Sequence, residues 1–422
     1  MIRHRLLVGS FLLLCVVALS GFGCRQDIRS EDSPTGTLVV WGLWQESEDI
    51  RPIVDAFKQQ TGIDVEYKKI ASVANYEREL LAALASGRGP DVFVIHHTWV
   101  EGKLDLLTPA PAEVIDPRSV QEEFVDVVAQ DVVRNNRVYA LPTSVDTLAL
   151  FYNKDIFNAS SIPKPPATWT ELQQVVEKIT KVNRVGSIEQ SAVALGTAAN
   201  INRAADILQL LMLQSGLNFD DAEAGPQIAG DVGERALIFY TDFANKAKKV
   251  YTWDLQQDFS IDAFAEGDTA MMFNYSYHVP TVKAKNSRLN FGLAPVPQIA
   301  GSSANNTISF AAYWPFGVSN STPTPTLAWQ FVRFLTNKEA SLVLNKAQQV
   351  PPARKDSVVD LQRDPILGVF TDQTLNARSW VRSDIAASDA IFNTMIDSVV
   401  TGTAAPAEAL RRAEDQLKQL RQ

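Results

Sequence analysis

Cysteine is nearly absent: the 422-residue chain has two, Cys15 and Cys24, both close to the N-terminus. If cleavage precedes Cys24, no pair remains for a disulfide and no thiolate for a metal site. Histidine is scarce too, with four in the chain. Two of them, His96 and His97, are adjacent, but no third His or Cys lies nearby, so a metal centre is not expected. Basic residues are not in excess. The net charge is −9 at pH 7, and no basic stripe offers a nucleic acid the footprint it needs. Past the N-terminus no apolar run reaches the roughly 20 residues of a membrane span. Signatures of catalysis are missing as well: there is no Gly-x-Ser-x-Gly, His-Glu-x-x-His, Walker loop or Gly-x-Gly-x-x-Gly. Internal repeats and low-complexity segments are also absent. A chain of this length makes two domains the default, each with enough core to stand without disulfides.

What is present begins with a basic start, Arg3 and Arg5, followed by an apolar stretch from Leu6 to Ser20. Small residues Gly21 and Gly23 then lead to Cys24. This order resembles a bacterial lipoprotein signal, in which Cys24 becomes the lipidated first residue and residues 1–23 are removed. It departs from that pattern in having Gly21 where leucine is usual, and plain cleavage or an uncleaved anchor are the alternatives. Losing Arg3 and Arg5 would take the net charge from −9 to about −11. Residues 24–36, rich in Ser, Pro, Gly and charge, read as a flexible tether.

From Thr37 the pattern changes. Thr37 to Trp41 is a buried-strand run, and Ile50, Ile53, Val54 and Phe57 recur at helical spacing until Thr61-Gly62. A second strand is expected over Ile63 to Tyr67, a second helix over Asn75 to Ser86, and a third strand over Asp91 to Ile95. Strand and helix alternating in this way predict a parallel sheet. Ligands of such sheets bind where the chain leaves the strand carboxyl ends. That rule singles out Trp41 to Trp44 and His96 to Trp99. Further apolar strands are expected over Thr147 to Tyr152, Thr269 to Asn274, Phe291 to Val296 and Ala312 to Val318. Helices are expected over Glu171 to Thr180, Ala204 to Gln214, Val232 to Ala247, Leu327 to Thr336, Lys338 to Lys346 and Pro406 to Arg421.

Several stretches, in this order, resemble the sugar-binding group of the extracellular solute-binding proteins of ABC importers. They are Gly89-Pro90-Asp91-Val92, Tyr139-Ala140-Leu141-Pro142 and Leu150-Phe151-Tyr152-Asn153-Lys154-Asp155-Ile156-Phe157. Phe264-Ala265-Glu266-Gly267-Asp268-Thr269-Ala270-Met271-Met272, Ala328-Trp329-Gln330-Phe331 and Val350-Pro351-Pro352-Ala353-Arg354 complete the set. The resemblance implies an α/β, two-lobed periplasmic-binding-protein-like fold of type II, with discontinuous lobes and a hinge. It puts residues 37–145 and 281–336 in the N-terminal lobe, and 146–280 and 337–422 in the C-terminal lobe. It also implies a monomer tethered to the membrane by lipid, a small-molecule ligand, most simply a sugar or polyol, and ABC permease subunits as partners. No cofactor is expected.

A neutral sugar presents apolar C–H faces ringed by hydroxyls, so its site should combine stacking rings with planar polar groups. By the resemblance Asp146 takes the place of an acidic residue beside the hinge, suited to bidentate bonding of two hydroxyls or to a structural cap. Tyr277 takes the place of a stacking tryptophan of the group's maltose-binding members, and Asn274 and Tyr275 share its segment. His97 and Trp99 lie on a loop the family uses for hydroxyl contacts. Trp44, Trp314, Asn202, Arg354 and Trp380 complete the candidate set. Tyrosine, histidine and carboxylate together also suit a ferric-ion binder, although the cleft segments resemble the sugar group more closely. A secreted carbohydrate-active enzyme with paired carboxylates, and a surface adhesin or sensor with the same cleft, are the rival readings.

Overall fold

The computed structural model describes residues 36–219, 225–302 and 307–420, and Thr37 opens a compact unit. The signal segment, Cys24 and most of the tether therefore lie outside the described residues. Two separate hydrophobic cores divide the compact unit into two lobes.

The first lobe is built on a five-stranded sheet in the order Val65–Lys69, Leu38–Gly42, Val92–Val94, Phe316–Val318, Ala140–Leu141. The first three strands run parallel and the last two pair antiparallel. Leu38 and Val40 are fully covered, as a central strand between two helical layers requires. Val65–Lys69 is an edge strand, and its alternately exposed residues give it a single buried face. Helix Ser47–Thr61 turns Ile50, Ile53 and Phe57 inward and ends on Gly62, whose φ of 77° a side chain would resist. A Cβ at Gly42 would lie 2.2 Å from the Tyr67 hydroxyl, which crosses over it to donate to the Gln45 carbonyl. Asp91 ties two interior strands to the chain after Phe316–Val318: its carboxylate accepts from Val39 N–H at 2.9 Å and from the Thr322 hydroxyl at 2.6 Å.

In the second lobe Ala149–Asn153 runs between Met271–Asn274 and Phe291–Ala294, antiparallel to both. The Asn153 side chain ends the strand and caps helix Lys154–Ala159, accepting from Asp155 N–H at 2.9 Å and Ile156 N–H at 3.1 Å. Helix Ala204–Gln214 is covered along most of its length, and the terminal helices Ile385–Val400 and Pro406–Gln419 pack together beside it.

Between the lobes lies a small crossover sheet. Ser309–Ala312 pairs with Asp146–Thr147 on one side and Ala377–Arg378 on the other. Val145 belongs to the first core and Leu148 to the second; Phe310 belongs to the second and Ala311 to the first. Two segments thus depart from the expected lobes. Residues 281–308 belong with the second lobe, because Phe291–Ala294 pairs with Ala149–Asn153 and Val282 and Val296 enter its core. Helix Lys338–Gln348 and the chain through Arg354 belong with the first, burying Ala340, Leu344 and Ala353 against it.

Candidate functional site

Turns at the ends of two first-lobe strands and of the central crossover strand bring their aromatic side chains to one place. Leu38–Gly42 leads to Trp44, Val92–Val94 to His96, His97 and Trp99, and Ser309–Ala312 to Tyr313 and Trp314. Trp314 is the centre of this cluster. Its ring lies 5.0 Å from His96, 5.3 Å from Trp99, 6.1 Å from Tyr76 and 6.3 Å from Trp44, every contact edge-to-face. Edge-to-face contacts of this kind fix the relative orientation of the rings. Trp44 is 48% exposed.

The second lobe presents a different chemistry. Arg203, held in left-handed backbone with φ 67°, precedes helix Ala204–Gln214. Its guanidinium packs over Tyr275 at 5.5 Å and Tyr277 at 5.7 Å, and donates to the Tyr277 hydroxyl at 2.5 Å. The two tyrosine rings stack at 5.6 Å. Tyr275 donates to Asp206 at 3.0 Å, and Arg382 joins Asp206 at 3.9 Å to Asp389 at 2.9 Å. A left-handed arginine is a strained choice that persists only where its surroundings over-determine it.

The two faces meet. Arg382 N–H donates to the Thr98 carbonyl at 3.3 Å. Burial, helped by His97, Arg382 and Arg203, pushes the His96 imidazole well below its usual range, so that ring is neutral. Buried side-chain atoms without a hydrogen-bond partner gather at this junction: His97 Nε2, Trp99 Nε1, Asn202 Oδ1, Arg203 Nε, Arg382 Nε and both His278 nitrogens. Buried polar atoms in folded proteins are nearly always paired, and the donors and acceptors gathered here have the chemistry to meet a polar molecule. A cavity of about 520 Å³ elsewhere on the second lobe, walled by Pro166, Thr168, Pro295, Gln298 and Ile308, includes none of these groups.

Of the residues chosen from sequence, Trp44, His97, Trp99 and Trp314 lie together on the first lobe. Tyr275 and Tyr277 lie together on the second, with Asn202 beside Arg203. The remaining four lie outside these two groups. Both oxygens of Asp146 are taken by Ser276 and Thr147. Asn274 is fully buried in its strand, its side-chain oxygen accepting from Tyr275 N–H while its Nδ2 has no hydrogen-bond partner. Arg354 is paired with Glu123 at 2.6 Å and Asp356 at 2.7 Å and lies over Phe124, away from the aromatic cluster. Trp380 stacks on Phe219 at 4.8 Å inside the second core and donates to Gln209 at 2.5 Å. Arg354 and Trp380 are thus engaged in ion pairing and packing, the Trp380 ring also lying 5.8 Å beneath the Arg382 guanidinium. Sequence reasoning missed Arg203, Asp206, Arg382, Asp131 and Tyr313. Only Tyr313, next to Trp314 at a strand end, carried a signal that could have found it.

Two α/β lobes joined by adjacent crossovers, with an aromatic face opposed to a polar one, define a protein that encloses a small molecule between its lobes. Residues 43–341 match the model for bacterial extracellular solute-binding proteins, and the chain belongs to that family. It is therefore an extracellular or periplasmic binding protein, not an enzyme. It is 24% identical over 434 residues to the galactooligosaccharide-binding protein of Bacillus subtilis (strain 168), covering 97% of this chain and 96% of that one. It is 27% identical over 309 residues to the maltotriose-binding protein of Pyrococcus abyssi, covering 70% of this chain and 62% of that relative's length. Among solved structures, a cyclo/maltodextrin-binding protein complexed with maltotetraose superposes with a TM-score of 0.76 at 22% identity, covering 91% and 96% of the two chains. UgpB from Mycobacterium tuberculosis in complex with glycerophosphocholine gives 0.72 at 19% identity, covering 91% and 98%. These likenesses establish the periplasmic-binding-protein-like fold of type II.

Proposed function

We propose that this protein is the solute-capturing subunit of an ABC importer and that its ligand is a carbohydrate of oligosaccharide size. The observation that carries this reading is the cluster of Trp44, Trp99 and Trp314 set opposite Arg203 and Tyr277. Indole faces match the C–H faces of sugar rings, and the unpartnered donors and acceptors around them match hydroxyls. Relatives named for maltotriose and galactooligosaccharides support the class of ligand. Contacts from both lobes to one ligand favour the closed arrangement, which a permease can distinguish from the open one.

A thermal-shift panel tests the reading. Maltotriose, a galactooligosaccharide, glycerophosphocholine and free amino acids are compared at equal concentration. Binding to the native state alone stabilises it by about 2.7 kcal/mol at a hundredfold excess over Kd, so an oligosaccharide should raise Tm clearly. A rise with glycerophosphocholine or an amino acid and with no sugar would overturn the carbohydrate assignment.

The protein works as a monomer held to the membrane by a lipid on Cys24. The basic start, apolar core and small residues before Cys24 support this anchor. Metabolic labelling with a palmitate analogue should tag the wild type and leave Cys24→Ala untagged; equal labelling of both would remove the anchor from the proposal.

A further inference from the structure

We infer that Asp131 is a positioning residue for this site, fixing the His97 ring so that its Nε2 accepts a hydrogen bond from a ligand hydroxyl. The inference rests on the carbohydrate reading for the identity of the hydroxyl, and on the contacts of Asp131 and the burial of both groups for the state of the ring.

Asp131 lies on helix Asp126–Val132 and is buried. Its carboxylate meets His97 Nδ1 at 2.8 Å, the Tyr313 hydroxyl at 2.7 Å, and the Ser379 hydroxyl at 2.6 and 2.8 Å. Burial alone would raise its pKa, but His97, Ser379 and Tyr313 outweigh that and hold the carboxyl below its usual range. An ionised carboxylate only accepts, so His97 Nδ1 must carry the hydrogen. The ring is clamped further by stacking on Tyr313 at 4.3 Å with planes 10° apart.

His97 itself is 1% exposed. Burial lowers its pKa, against the pull of Asp131, so the imidazole is neutral. A neutral ring with hydrogen on Nδ1 has a bare lone pair on Nε2, and that atom is buried without a partner. The groups acting on it come from both lobes: His96 4.4 Å away, Asp131 and Tyr313 on the first, Arg382 and Asp206 on the second. The His97 ring thus lies at the junction of the two lobes. Trp99 Nε1, also buried and unpartnered, can only donate.

An acceptor and a donor that both lack partners are the complement of hydroxyls, each of which gives one hydrogen and receives another. A carboxylate or phosphate oxygen has no hydrogen to offer Nε2. The same geometry therefore selects a neutral, hydroxyl-bearing group at this point and disfavours an anionic one. The discrimination arises from a polar group left unpaired by the wrong ligand.

The test reads imidazole ¹⁵N signals of the full protein, free and with maltotriose or whichever panel oligosaccharide raised Tm. Free wild type at pH 7 should show His97 protonated on Nδ1 with a bare Nε2, and sugar should shift the Nε2 signal alone. A hydrogen on Nε2, an imidazolium, or a Nε2 signal indifferent to a sugar that binds would each overturn the inference. Asp131→Asn should mix the two tautomers and weaken sugar binding by at least about tenfold. Ser379→Ala, which removes one donor from Asp131 without touching His97, should preserve both tautomer and Kd. An Asp131→Asn protein with lower Tm but unchanged Kd would reduce Asp131 to a structural role. If that variant does not fold, the wild-type spectra still decide. If no sugar binds while the free ring has the stated tautomer, the carbohydrate reading fails and the positioning by Asp131 stands.

Discussion

Trp314→Ala is expected to weaken oligosaccharide binding by about 100-fold, the largest loss from any single ring of the cluster. Two contributions add. One face of an indole covering a sugar ring removes about 100 Å² of apolar surface from water, equivalent to about 2.5 kcal/mol. The second is indirect: Trp44, Trp99 and His96 each pack edge-to-face with Trp314, so its removal frees their orientation as well. Together these approach about 3 kcal/mol, or about two decades in Kd. Trp314→Phe keeps a smaller face and should lose about tenfold. Trp380→Phe is the contrasting case, because Trp380 packs on Phe219 and bonds Gln209 inside the second core. It should lower Tm, leaving a buried amide oxygen unpaired, while Kd stays within about twofold. Calorimetric titration of the three variants separates the two roles. Wild-type affinity in Trp314→Ala would mean that the ligand lies elsewhere.

Much of the fold was legible because it is encoded locally. The covered run Leu38 to Trp41, the helical spacing of Ile50, Ile53 and Phe57, and the stop at Gly62 each act within a few residues. The strand expected over Ile63 to Tyr67 begins two residues later, at Val65. As an edge strand it has a single buried face, and its limits follow from pairing with Leu38–Gly42 rather than from its own apolar pattern. The lobe assignments of 281–308 and 338–354 were illegible for a similar reason. Which core receives Phe291 depends on Asn153 across the sheet, a partner that no local pattern names.

The site divides the same way. Trp44, Trp99 and Trp314 follow strands directly, and the strand-end rule reaches two of the three loops. Arg203, Asp206 and Arg382 look from sequence like ordinary charges. They become a site only because Tyr275 and Tyr277 stack beneath one guanidinium and the loop at Arg382 crosses to Thr98. Arg354 and Trp380 carry the right chemistry but turn it inward, and residue type gives no direction. Asp131 is the subtlest case. Its function is to set the hydrogen on a neighbour 34 positions away in sequence.

Asp146→Asn is expected to change how stability depends on pH. Asp146 stands on the crossover strand, buried, with Oδ1 accepting from Thr147 N–H at 2.8 Å and Oδ2 from the Ser276 hydroxyl at 2.7 Å and Ser276 N–H at 3.0 Å. It thereby fastens the hinge to the turn that carries Tyr275 and Tyr277. Burial pushes its carboxyl up to about 6, although the bonds from Ser276 and Thr147 pull the other way. The unfolded value is about 3.9. Between those two values the native state holds more protons than the unfolded one, so this group's contribution falls as pH rises. Its cost is absent below about pH 4 and fully present above about pH 6, on the order of 3 kcal/mol in total. Asparagine cannot ionise and removes the slope. Wild type should therefore lose stability relative to Asp146→Asn as pH rises from 4 to 7, measured by urea unfolding at each pH. A difference between the two proteins that stays constant over that range would refute the burial argument. Asp146→Ala leaves two buried N–H groups and a hydroxyl without their acceptor, and should be less stable than either at every pH. Because its oxygens are engaged by Ser276 and Thr147, Asp146→Asn should bind an oligosaccharide within about twofold of wild type. A loss of tenfold or more with the hinge still folded would instead place this carboxylate against the ligand.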